Sequence, residues 1–351
     1  MKRLLWQWVV LSFCLLFECS LHADNSIPPR FLGPADLRNQ RPYPLLFLTF
    51  APEAADVLPR GRQEFAVQLD IANDLLIPTR APFLRTPFVE EDAETQRLGV
   101  TERLGLGQRL EAAGFLSVIA RDGGILDPII EAYHRLVGFP NSTIDTPTGR
   151  ADIPDGRSIV RLLRPDGTTE VTTGEALGLG DVSGTLKYAI LDGRWTSLAL
   201  RTGLKLPTGN AQELLGSGAV DAGVDLDAQA VLAPHVAAFV SAGYVWMGKD
   251  RDISTAATHD FQLSENLEYR ENARDYWLLQ SQGGGVVVRT GNAHADGPQR
   301  IVSLVYRRLT GPHTVWTFAF TENGDIVNYH APWLVGIGPD VAVTAGVAWF
   351  K

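Results

Sequence analysis

The chain has 351 residues, with 31 Lys and Arg against 40 Asp and Glu, a formal net charge of -9 and 45% hydrophobic residues. An acidic balance argues against nucleic acid as a partner. Both cysteines, Cys14 and Cys19, lie near the N-terminus, which excludes disulfides and cysteine metal sites from the remaining chain.

Lys2 and Arg3 precede a mostly apolar run over 4–17 and a polar stretch ending at Ala23. This is the layout of a secretory signal peptide over residues 1–23. Leu16, Phe17 and Glu18 before Cys19 are not the small residues of a lipid-attachment site. Cleavage removes Lys2, Arg3 and Glu18, a net of +1, and takes the charge from -9 to -10. No later run approaches about 18 consecutive apolar residues, the length of a membrane-spanning helix. An exported membrane protein of this kind crosses as a closed sheet, which satisfies every backbone group without helices.

Residues 24–63 are rich in Pro and Arg, with an apolar patch over 44–50. They read as a periplasmic lead-in, with a short strand or a lumen-docked segment as further options. The barrel is expected over 64–351. Strands are expected from Glu64, then at 96–106 and 109–121, with loop 78–95 interrupted by Pro78, Pro82 and Pro87. In 122–179 the pattern changes. Leu126, Ile129, Ile130, Tyr133, Leu136 and Val137 fall at helical spacing after Asp127 and Pro128, and Gly138 follows as a stop. This predicts one short amphipathic helix in a connection long enough to plug or cap a barrel. A small hairpin is expected around 165–167.

The stretch 180–247 carries the strongest signal. In 180–191, 195–207 and 219–232, aliphatic residues alternate with charged ones, as strands between two different solvents do. One face carries Asp181, Lys187, Arg201, Lys205, Asp225 and Asp227. Opposite signs on neighbouring strands predict a charge network inside the lumen, either a rigidifying ladder or a polar path for a solute. Parity across Gly193 and across 233–235 predicts three-residue turns, with Gly193 left-handed. Further strands are expected at 259–271, 274–289, 299–309, 313–322 and 340–350.

The sum is an all-β, closed antiparallel transmembrane barrel of about 12 strands, within 10 to 14, in the bacterial outer membrane. Short turns fall on one side and long loops on the other, and Tyr188, Trp195, Tyr244, Trp246, Tyr306, Trp316 and Trp349 recur near strand ends. A large soluble β-sandwich is the competing fold. The final strand, DVAVTAGVAWFK, resembles the C-terminal segment read by the barrel-assembly machinery, with Thr344, Gly346 and Trp349 in place and Lys351 where an aromatic is usual.

Candidate chemistry is sparse. Asp127, Glu131 and His134 share the polar face of the predicted helix, but a metal needs a fuller ligand set, and docking against charged groups is the simpler use. His235, His259, His294, His313 and His330 are scattered, and no Ser sits in a GxSxG setting. Neither catalytic residues, metal nor cofactor are expected.

Stretches such as ETQRLGVTERLGLGQRLEAAGF, GLGDVSGTLKYAIL and FAFTENGDIVNYHAPW resemble an uncharacterised bacterial family known as a domain of unknown function. GLGD and GLKLPTG are similar, more weakly, to the phenol-degradation meta-pathway family of outer-membrane barrels. The first resemblance implies an outer-membrane barrel and supplies no catalytic residues; the second implies a link to passage of small apolar molecules. The expected function is passage of a small solute through a loop-restricted lumen. A lipid-acting enzyme and a closed structural barrel are the alternatives. Expected partners are outer-membrane lipid, the assembly machinery and a small solute.

Overall fold

The structure, a computed structural model, describes residues 31–76, 89–137, 155–163, 168–250, 252–289, 298–323, 339 and 341–351. The expected signal peptide and most of the expected loops 78–95, 290–298 and 323–339 lie outside these residues.

Strands β1 (Gln63–Leu76), β2 (Val89–Gly105) and β3 (Leu110–Asp122) are followed by three short ones, β4 (Ile159–Leu163), β5 (Thr169–Thr173) and β6 (Ala176–Leu179). Nine more complete the set: β7 (Val182–Asp192), β8 (Thr196–Leu206), β9 (Asp221–Ala233), β10 (Val236–Trp246), β11 (His259–Arg270), β12 (Asp275–Gly284), β13 (Gln299–Leu309), β14 (Thr314–Asn323) and β15 (Val341–Phe350). Apart from β4, β5 and β6, each strand pairs antiparallel with the next, and β15 returns to β1 from Glu64↔Phe350 to Asn73↔Val341. Twelve of the fifteen described strands therefore form a closed wall. The short turns, the start of β1 and the C-terminus share one end, the periplasmic end by the rule of outer-membrane barrels.

The faces are inverted relative to a soluble protein. Leu69, Leu116, Leu200, Leu204, Leu279, Leu304 and Phe318 point outward and are exposed, while Asp70, Ser117, Arg201, Gln280 and Ser303 point inward and are buried. A sandwich would bury the first set, so a transmembrane wall is the fold. Aromatic pairs gather near its two rims: Phe65 on Trp349 and Trp277 on Tyr306 near the turns, Tyr244 on Trp246 near the loops.

Two turns differ from expectation, and bulges explain both. Asp192 pairs with Ser197, and Ile190 is then left out before Ala189 meets Ala199. Gly193 is not left-handed. At the second turn Val236 pairs with Ala233, so the loop has two residues, and Leu232 is skipped before Ala237 meets Val231. A bulge inserts the extra residue that keeps charges inward and leucines outward on both strands. Strand β2 also starts earlier than expected, because its outer end lies beyond the apolar belt and has charged partners: Arg157 and Arg161 bind Glu90, and Arg41 binds Glu91.

The long connection does not plug the lumen. Its helix α1 (Asp127–Val137) lies against the outer wall: Asp127 accepts a hydrogen bond from Asn73, an outward position of β1, and Tyr133 packs edge-on against outward Phe320 of β14. The hairpin of β4 and β5 instead covers the mouth, burying Val160 and Leu162 with Tyr43, Phe47, Met247 and Ile253. What fills the lumen is residues 31–58, which lie within the barrel, not ahead of it, and 59–62 turn at its rim into β1.

An arginine forced onto the lipid side of the wall should be costly. Leu200→Arg, near the middle of β8, is expected to lower stability in phospholipid vesicles by about 2–4 kcal/mol, measured by denaturant titration against the parent.

Candidate functional site

Arg201 sits on the inward face of β8, between β7 and β9. Because registered strands place inward residues side by side, Arg201 is opposite Lys187 on β7 and Asp225 on β9. Its guanidinium binds Asp225 at 2.5 Å and Asp227 at 3.1 Å. On the lumen side it reaches Glu53 at 2.8 Å and donates to the Ala51 carbonyl. Glu53 also meets Lys187 (3.0 Å) and Arg103 (3.1 Å), and these cations continue to Glu111 and Glu64. Nearer the loops, Lys205 binds Asp181 at 2.6 Å and Asp221 at 3.3 Å, and donates to the Leu46 carbonyl.

The six inward charges named from sequence thus fall into two sets, one around Arg201 and one around Lys205. Sequence reasoning missed Glu53, Arg103 and Glu111, and placed Asp221 on the charged face of its strand without giving it a part in the network. Glu111 and Asp221 continue the alternation of their strands and were legible by parity; Glu53 lies in no strand and carried no periodic signal. Buried ions are tolerated only when paired and hydrogen-bonded, and here the wall's ions are completed by a segment outside the sheet.

That segment runs the length of the lumen twice. Leu32 and Gly33 donate their N–H groups to Glu268 near the turns, Ala35 exchanges two hydrogen bonds with the Gln280 amide halfway up, and Arg41 meets Glu91 near the loops. A single turn of 3-10 helix, Pro44–Leu46, reverses the chain. Descending, Leu48 donates to Asp221, Phe50 to Gln262, Ala55 to Gln229 and Leu58 to Glu111. The arms touch: Arg38 donates to the Thr49 carbonyl, and Gly33, at φ +78°, lies where a side chain would strike Ala54. These backbone groups are satisfied by wall side chains and not by a strand ladder, so the segment is docked without being part of the sheet.

Phe50 anchors the descending arm. Gly203, Gly223 and Gly243 lie on three successive strands, and a methyl group at any of them would come within 2.8, 2.7 or 3.3 Å of the Phe50 ring. The ring lies against this bare backbone with the Arg201 guanidinium 5.2 Å from its centre. Beside it a space of about 60 Å³ is bordered by Phe47, Met247, Val287, Gln262, Gln282 and Gln299. A second, also of about 60 Å³, lies between Asp36, Arg97 and Arg307.

Asp127, Glu131 and His134 are remote from the lumen, on the outer-wall helix. There Tyr133 packs edge-on against Phe320. Among the described residues no group of three His, Cys, Asp or Glu side chains could hold a metal. At the rims, the His235 ring meets the Arg270 carbonyl and the His259 ring the adjacent Thr258 hydroxyl.

Arg201→Met should leave Asp225, Asp227 and Glu53 buried without their shared cation. A loss of about 3–5 kcal/mol is expected, seen as a lower denaturant midpoint together with faster proteolysis within 31–62.

The family described as "Protein of unknown function (DUF3187)" matches residues 11–347. No curated protein matches the sequence. Among solved structures, the COG4313 outer membrane channel from Pseudomonas putida F1 aligns with a TM-score of 0.55 at 11% identity, over 86% of this chain and 100% of that chain. The NanC porin aligns at 0.44 with 9% identity, over 81% and 98%, and the CymD monoaromatic hydrocarbon channel at 0.38 with 9% identity, over 84% and 89%. The first is a likeness of fold; the other two are too distant to carry an argument.

Proposed function

We propose that this chain, which belongs to the family of proteins of unknown function DUF3187, is an outer-membrane channel closed by its own residues 31–62. The single observation that carries the reading is that this segment is held by side chains and ion pairs while the wall closes without it. Departure of its lumen part, 31–58, breaks no ladder hydrogen bond, and it leaves behind a lumen lined by paired charges, glutamines and serines. With the segment in place the space beside Phe50, part apolar and part amide, is too small for a solute, so passage of a small molecule with an apolar body requires the segment to leave. The channel acts by geometry and lumen electrostatics, with no reaction and no cofactor. The C-terminal strand, ending at Trp349 and Phe350, is the segment assigned to recognition by the assembly machinery.

A filled lumen equally supports a closed structural barrel, so the two readings differ only in whether the segment leaves. Phe50→Ala removes a buried ring worth about 3–5 kcal/mol, and each 1.4 kcal/mol is about tenfold in the undocked population. Single-channel recording in planar bilayers is expected to give rare openings for the parent and an open probability at least about tenfold higher for Phe50→Ala. Silence from Phe50→Ala and from a chain lacking 31–56, with heat-modifiable gel mobility intact, would favour the structural barrel.

A further inference from the structure

Helix α1 sets apolar residues on both of its faces. Asp127 and Ile130 are buried and Glu131, Tyr133 and His134 half-buried against the protein, whereas Pro128, Ile129, Ala132, Arg135 and Leu136 face away. Ile129 is 59% exposed and Leu136 84%, and Ile125 just before the helix is 76% exposed. A helix on a water-soluble surface buries its apolar stripe and wets its polar one. This one inverts part of that pattern, burying the Asp127 carboxylate beside Ile130 while leaving Ile129 and Leu136 outside.

Its position explains the inversion. Asn73, which donates to Asp127, shares the outward face of β1 with exposed Leu69. Phe320, under Tyr133, shares the outward face of β14 with exposed Phe318. Strand β15 lies between them, with Val343 exposed on the same side. The helix therefore crosses the lipid side of three adjacent strands near their loop ends, covering the seam where the barrel closes.

We propose that α1 is embedded in the outer leaflet, with Ile125, Ile129 and Leu136 in contact with lipid acyl chains. Arg135, on the flank of the same exposed face, stands at the level of the head groups. The occupant is lipid because exposed Ile125, Ile129 and Leu136 extend the apolar belt of Leu69, Phe318 and Val343, with Arg135 the one charge on that face. The Asp127 carboxylate needs no water, since Asn73 of the wall and the Gly156 N–H of the connection donate to it.

Site-directed spin labels test this in the full chain, with Cys14 and Cys19 replaced by Ser and folding confirmed by heat-modifiable mobility. Ile129→Cys and Leu136→Cys carry the label, Leu69→Cys serves as the lipid reference and Gly311→Cys as the aqueous one. In vesicles of phosphatidylcholine and phosphatidylglycerol, labels at 129 and 136 are expected to meet oxygen more often than a water-soluble nickel chelate, as at 69. A nickel preference matching that at 311 would overturn the proposal. So would spectral broadening that disappears on dilution with unlabelled chain, which would assign the face to a second copy of the protein.

Discussion

The contact between Arg201 and Glu53 joins the two parts of this molecule. Arg201 belongs to the wall and is balanced there by Asp225 and Asp227; Glu53 belongs to the threaded segment and is shared with Lys187 and Arg103. The threaded segment occupies the lumen, so the wall's inward charges are buried and depend on one another and on that segment. The threaded segment is therefore a counter-charge as well as an obstruction. Its docking follows from the same electrostatics that a solute would meet.

The same solvent constraint shapes the exterior. Lipid offers no hydrogen bonds, so backbone groups must be satisfied within a closed sheet and polar side chains must turn away from the belt. Strands meet that condition with period two, and the bulges at Ile190 and Leu232 preserve it through the turns. Helix α1 follows a period of 3.6, presenting Ile129 and Leu136 outward and the Asp127 carboxylate, with Ile130, inward. Strands and helix thus both set apolar residues away from the protein.

The division of the long connection follows from chemistry along its length. Its helical part has enough apolar surface to lie against lipid, whereas Val160 and Leu162 on the β4–β5 hairpin find apolar partners in the tip of the threaded segment. One connection thus serves both the outside of the wall and its mouth. Beneath that mouth, Asp250 lies in a loop held by N–H groups of Asp252 and Ile253, and burial raises its carboxyl above the ordinary range.

Local alternation was enough to specify the wall: the strands, their inward charges, the even count and the outward leucines are all properties of residues two apart. The helix over 127–137 was equally legible, from residues three and four apart. Where these elements go was not. Nothing periodic in 31–62 distinguishes a lead-in from a lumen segment, because it forms no ladder and takes its hydrogen bonds from residues such as Gln262 and Gln229, more than 170 positions away. Glu53 and Phe50 gain their roles only when β2, β7, β8, β9 and β10 converge on them. Amphipathicity likewise states that a helix has two faces but not which one meets the protein; that depended on the lipid-facing wall which the closed sheet places beside it.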